Sequence, residues 1–295
     1  MSESTDQLER LTQINLDDLS SSLGWEGWRP GRRAAGALFR WPARQFARQM
    51  VQFDEDVGAL GLQESARRFL PLFSRGLQVS GAGHIPAHGP LLILSNHPGM
   101  ADTLALFAAI SRPDLRVVGL ERPFLKQLPA LSRRMIYIPE QEEGRLQVIR
   151  SMLGGLQSGG AILTFPAGHI EPDPAVLPGA VESLKTWSES IALFIRKVPE
   201  VNVVGAVVSH VLAPQATFHP LTRLRRQKKD RERLGASIQL LMHTLFPNLW
   251  PLTAEICFTP ALPAAGLAGL HQAPVITQAV TDYIRPYMAA AVHKV

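Results

Sequence analysis

From Gly76 onward the chain alternates short apolar runs with stretches of helical periodicity. Strands are predicted at 76–80 (GLQVS), 90–95 (PLLILS), 115–119 (LRVVG), 134–138 (RMIYI), 160–165 (GAILTF), 202–209 (NVVGAVVS) and 253–258 (TAEICF). Helical segments fall between several of them, notably 102–111, 143–157 and 178–190. The runs 91–94 and 203–208 are apolar at nearly every position, which fits strands covered on both faces. Alternation of this kind implies an α/β fold with a mostly parallel central sheet of about seven strands flanked by helices. In such sheets the reactive residues sit in loops beyond the strand ends.

Ahead of this region the pattern differs. Residues 1–22 are polar and acidic, and they are expected to be mobile or loosely helical. Residues 31–53 hold five arginines and no acid. Pro42 suits the first turn of a helix, beyond which Phe46, Met50 and Phe53 recur on one face while Arg44 and Arg48 fall on the other. That pattern favours a helix packed on a domain over one lying in a membrane interface. The chain therefore reads as an N-terminal helical extension, 1–72, followed by an α/β domain, 73–295.

Composition narrows the function classes. With 295 residues, 46% hydrophobic and 19% charged, the chain can bury a substantial core and is not of the disordered class. No run of 18 apolar residues occurs, so a spanning helix is not expected. The acidic start lacks a basic and an apolar region, which argues against a secretory signal. The single Cys257 cannot form an internal disulfide and no Cys/His set has zinc-ligand spacing, so a reducing, cytoplasmic setting is compatible and no metal is expected. The formal charge is +5, and the stretch 221–234 accounts for all of it with seven Lys/Arg and two acids. A solvated helix face is the ordinary reading of such a run. The functional reading is attraction to anionic lipid headgroups, worth about 1 kcal/mol per basic residue near the surface. No aromatic residue interleaves the run, so the stacking platform of single-strand nucleic-acid binders is missing.

The chemistry concentrates at Ser95-Asn96-His97-Pro98-Gly99-Met100-Ala101-Asp102, directly after an apolar strand. Residues five apart do not stack on a regular helix. They meet if His97 lies in the loop and Asp102 in the first turn of the following helix, where a carboxylate is favoured by exposed N–H groups. Pro98 pushes His97 out of the helical region and suits a helix start. A carboxylate on one imidazole nitrogen leaves the other free to accept a proton, so an acceptor's own hydroxyl can be the nucleophile. A thioester carbonyl is a suitable target, with helix-start N–H groups available for the oxyanion. Chance alone supplies about 0.3 such His-x4-Asp pairs in a chain of this composition, so the pair does not decide by itself.

A second block does more. Phe165-Pro166-Ala167-Gly168-His169-Ile170-Glu171 again follows an apolar strand, 63 residues after Asp102. Together the segments resemble the glycerolipid acyltransferase family, which includes lysophosphatidate-type enzymes and carries Asn-His-x4-Asp followed roughly 60–70 residues later by Phe-Pro-Glu-Gly-Thr-Arg. The resemblance runs from about Gly76 to Ser209. It implies O-acyl transfer from acyl-CoA or acyl-carrier protein to a glycerolipid or lysophospholipid-like acceptor, with His97 as general base and Asp102 orienting it. It implies no bound cofactor, acceptor contacts from Phe165, Pro166, Gly168, His169 and Glu171, and peripheral association with the inner face of a membrane.

The family's acid and arginine of the second block are here Ala167 and Ile170, and a further family arginine corresponds to Pro139 and Glu140. Guanidinium forks on a phosphate are not replaced by neutral side chains. Either Arg122, Lys126, Arg133, Arg134 or His169 supplies charge from nearby, or the acceptor lacks a terminal phosphate. Glu171 stands as a shifted substitute for the missing acid. Two further readings stay open: a lipid-binding member of the family without turnover, and metal-assisted hydrolysis on His97, Asp102, His169 and Glu171, which lacks a paired-histidine helix motif.

Overall fold

The computed structural model describes residues 2–25, 27–139, 144–246, 249–267 and 269–292. Two compact units share the chain: residues 76–121, 134–211 and 253–295 form one, and residues 1–75, 122–133 and 212–252 the other. No helix among the described residues is long and apolar enough to cross a membrane.

The first unit carries the sheet. Its strands are β1 (Gly76–Ser80), β2 (Leu91–Ser95), β3 (Arg116–Leu120), β4 (Met135–Ile138), β5 (Ala161–Thr164), β6 (Asn202–Ser209), β7 (Thr253–Phe258) and β8 (Leu262–Pro263). They lie in the order β1-β7-β6-β2-β5-β3-β4, with β8 on the flank of β6. All pairings are parallel except those of β7 and β8 with β6. The expected mostly parallel α/β sheet is therefore observed, each predicted strand falling within two residues of its place. The two-residue β8 is too short to leave a period in the sequence.

Apolar runs become central strands because both faces are covered. Every residue of β2 is buried, as is all of β6 after Asn202. On one face Leu92, Leu94, Ile162, Val203 and Val207 join a core with Leu156, Trp187, Ile195, Ile284 and Met288. The last two belong to the helix Ala273–Val292, which packs so closely on β6 that a Cβ at Gly205 would stand 2.6 Å from Ile284. The expected helix 178–190 is instead broken into Ala180–Ser183, a 3₁₀ turn Leu184–Thr186 and Ser190–Lys197. Trp187 leaves the helix with φ −66° and ψ 137°, which frees its indole and the Ser188 N–H for partners elsewhere.

In the second unit residues 2–23, expected to be mobile or loosely helical, form a helix whose Leu11 and Leu16 are buried. The basic helix spans Arg29–Leu60, so Pro42 lies well inside it and not in its first turn. Proline there forgoes one ladder bond, a cost met by burial of Phe46, Met50, Phe53 and Val57, the predicted apolar face. Phe46 stacks on Phe124 at 5.8 Å and Phe53 meets Phe69 at 4.9 Å. Buried Asp54 accepts the N–H groups of Ala130 and Leu131, which ties 122–133 to this helix. The helical unit is thus assembled from three stretches of chain and not from 1–72 alone.

At the N-terminal ends of β2 and β5 the buried Arg112 donates to the carbonyls of Pro86, Gly89 and Gly159 and pairs with Asp114 at 2.7 Å. Arg112→Ala is expected to cost about 2 kcal/mol, because three carbonyls lose a charged donor together. Equilibrium urea unfolding measures it, and a change below about 0.5 kcal/mol would show that water serves them equally well.

Candidate active site

The chain leaves β2 at a point where the ladder runs out. Asn96 replaces the missing rungs: its amide donates to the Val208 carbonyl at 2.9 Å, and its oxygen accepts the Val208 N–H at 2.8 Å. His97 and Pro98 follow as loop, and the helix Met100–Ala109 begins after Gly99. Asp102 stands in its first turn, fully buried. Its Oδ2 accepts the Gly99 N–H at 2.9 Å and lies 2.8 Å from His97 Nδ1, while Oδ1 accepts the Thr103 hydroxyl. The loop–helix arrangement expected from the spacing is the one observed. Pro98 lies outside the helix, and the Gly99 N–H belongs to Asp102, so it is not available to an oxyanion.

Against a carboxylate, Nδ1 carries the proton and Nε2 is left to exchange one. The ring is 29% exposed, so it reaches solvent while its partner does not. The Phe165 ring sits 4.5 Å away at 34°, closing one side. Burial pulls the His97 pKa down, but the Asp102 charge, its hydrogen bond and the Glu171 charge outweigh it, and the net shift is upward.

The second block reaches His97 through the main chain. The His97 N–H donates to Glu171 Oε2 at 3.1 Å, and the Glu171 N–H donates back to the His97 carbonyl at 2.8 Å. Glu171 is buried; Oε1 accepts the Trp187 indole N–H at 3.0 Å and lies 2.8 Å from the Ser183 hydroxyl. Burial pushes its pKa up, and the bonds from Trp187, Ser183 and the His97 N–H offset this only in part. Glu171 therefore fixes the histidine's backbone, a positioning role and not the acceptor contact expected of it. Gly168, at φ +68°, closes the turn onto the Phe165 carbonyl, a conformation that favours glycine. Pro166 is buried with its carbonyl held by the Ser188 N–H. His169 is exposed and donates to the Ala167 carbonyl at 2.7 Å, and Ile170 is exposed.

Of the expected basic groups, Arg134 does not reach this loop. Arg134 precedes β4 and donates to the Pro113 carbonyl. Strand register sets it level with Leu92, five residues short of His97, roughly 16 Å along the strands. Arg122, Lys126 and Arg133 belong to the helical unit, where Arg122 precedes the short helix Pro123–Lys126 and Lys126 ends it. Glu140 lies outside the described residues. Among those residues no group of three or more His, Cys, Asp or Glu is placed to hold a metal ion, and the carboxylate of Glu171 is already engaged by three donors.

Sequence reasoning passed over Asp173, Trp187 and His210. Buried Asp173 accepts the N–H groups of Ala175, His210 and Val211 at 2.8–3.0 Å. His210, just past β6, has φ 60°, a left-handed conformation uncommon without glycine. The one local signal for Asp173 is a carboxylate between two prolines, and nothing near Trp187 marks it as a partner of Glu171.

No family model matches the chain, and no curated protein matches it. Among solved structures it is similar to the 1-acyl-sn-glycerophosphate (LPA) acyltransferase PlsC from Thermotoga maritima, at 14% identity and a TM-score of 0.43, over 100% of this chain and 97% of that one.

The charge arrangement makes a directional prediction. NMR titration of the His97 imidazole should give a pKa above the usual value, and Asp102→Asn should lower it; Glu171→Gln should lower it less. Because folding favours the imidazolium, the pair adds stability that is full below the unfolded pKa and lost as pH rises through the folded one. A titration unchanged in Asp102→Asn would contradict the assigned pair.

Proposed function

We propose that this chain is an O-acyltransferase that moves a fatty acyl group from acyl-CoA or acyl-carrier protein to a hydroxyl of a glycerolipid or lysophospholipid-like acceptor. The reading rests on one observation, the part-exposed His97 imidazole held at Nδ1 by a fully buried Asp102 at the end of a central strand. In the reaction Nε2 takes the acceptor's hydroxyl proton as the oxygen attacks the thioester carbonyl. The tetrahedral oxyanion collapses, the carbon–sulfur bond breaks, and the departing thiolate recovers the proton from the imidazolium. Asp102 keeps the tautomer and stabilises the transient positive ring. Glu171 holds the His97 backbone, so the ring cannot swing with its loop.

The acceptor is the second question. Exposed Ile170 occupies the position of the family's phosphate-binding arginine, and Arg134 lies toward the other end of the strands. Both favour an acceptor without a terminal phosphate.

Labelled acyl-CoA offered with a panel of lyso-lipids, a phosphomonoester lipid and neutral alcohols tests both parts. Wild type should acylate at least one acceptor, and His97→Ala should lower the rate by at least about a hundredfold. The rate should rise with pH through the raised His97 pKa, since the base acts neutral. Transfer that survives in His97→Ala would overturn the mechanism. Loss on chelation would favour metal-assisted chemistry, and no transfer to any acceptor would favour a lipid-binding protein.

A further inference from the structure

In the helical unit the 3₁₀ turn Pro220–Leu224 follows the short helix Pro214–Thr217. A 3₁₀ turn brings residues i and i+3 to the same side, so Leu221 and Leu224 project together, with Thr222 buried between them. Leu224 is 75% exposed, Phe218 60% and Leu221 49%. The Arg225 guanidinium that follows lies against the turn at Gly24, 1.8 Å from where a Cβ would stand. The helix before that turn is fastened to the helix Lys228–Leu245 by the Ser22–Ser237 hydrogen bond at 2.9 Å.

Large apolar side chains held this far into water carry a cost that a folded chain ordinarily avoids by burying them. Their setting says what covers them. Arg223 and Arg226 are exposed beside them with no acidic partner among the described residues. Arg225, by contrast, is paired with Asp230 at 3.2 Å, so the charge this turn offers to a partner is that of Arg223 and Arg226. Apolar tips with exposed arginines beside them match the interface of an anionic bilayer, whose acyl region takes the tips while its headgroups meet the guanidinium groups. A nucleic acid would call for the arginines but gains nothing from leucines.

We propose that Phe218, Leu221 and Leu224 insert into an anionic membrane, with Arg223 and Arg226 meeting its headgroups. The 221–234 run then divides by role: its first turn enters the bilayer interface, and the basic residues that follow supply attraction. This surface does not depend on the acyl-transfer reading, because binding is measured without turnover and His97→Ala should bind as wild type does.

The full chain is sedimented with vesicles of phosphatidylcholine alone and of phosphatidylcholine with phosphatidylglycerol, at low and high salt. Wild type is expected to bind the anionic vesicles at least tenfold better, with the advantage shrinking as salt rises. Leu221→Ser/Leu224→Ser should lose at least tenfold on anionic vesicles with unchanged circular dichroism. Arg223→Gln/Arg226→Gln should lose the preference for anionic lipid and most of the salt dependence. Equal binding of wild type and both variants would overturn the proposal. So would a dimer in sedimentation equilibrium that Leu224→Ser dissociates, which would assign the surface to a second copy, or binding to DNA in the absence of any vesicle binding.

Discussion

Where a buried parallel strand stops, its next main-chain groups have no ladder to join and no water to turn to, and each costs free energy until something bonds it. At the ends of β2 and β6 that demand is met by four buried side chains. Asn96 serves both groups of Val208, Asp102 serves Gly99, Glu171 serves His97, and Asp173 serves His210 and Val211. The loops at this edge are consequently fixed by hydrogen bonds to side chains, and the position of the imidazole follows from theirs.

The same arrangement sets the electrostatics. Three buried carboxylates gather at the ends of β2 and β6, where Asp102 and Glu171 accept from N–H groups and hydroxyls. His97 touches both Asp102 and Glu171 and can take up a positive charge. Its burial opposes that charge, while Asp102 and Glu171 favour it, and the favourable side prevails. A histidine so placed accepts a proton readily, and its ring stays partly open to solvent. The carboxylates also answer to pH. Glu171 holds its proton more tightly than an ordinary glutamate because burial outweighs its three donors. Acid therefore weakens its hold on the His97 backbone before it affects an exposed carboxylate.

The helical unit solves a different problem. Its long basic helix spends one face on the aromatic cluster of Phe46, Phe53, Phe69 and Phe73 and leaves Leu38 and Trp41 in water. Apolar side chains therefore remain at its surface after its own core is complete. The exposed leucines of the 3₁₀ turn repeat that arrangement on a shorter element.

Strand positions were legible because burial on both faces makes the central strands β2 and β6 apolar at nearly every position, and the flanking strands repeat shorter apolar runs at regular intervals. His97 and Asp102 were legible because they stand five residues apart, and a strand before and a helix after them make their meeting a matter of local geometry. Glu171 was visible as a residue and misread in role, since a loop carboxylate looks the same whether it faces solvent or supports a backbone 74 positions away. Asn96 and Val208 are 112 apart, and no period connects them. Arg134 stood near a relevant strand in sequence, yet it enters that strand at the wrong end. By itself, then, the sequence determined the elements and the reactive pair, whose causes act over a few residues. The tertiary structure alone decided which polar side chains are buried, what they hold and that Arg134 enters its strand far from the histidine, because burial and register are created by partners that distant strands bring together.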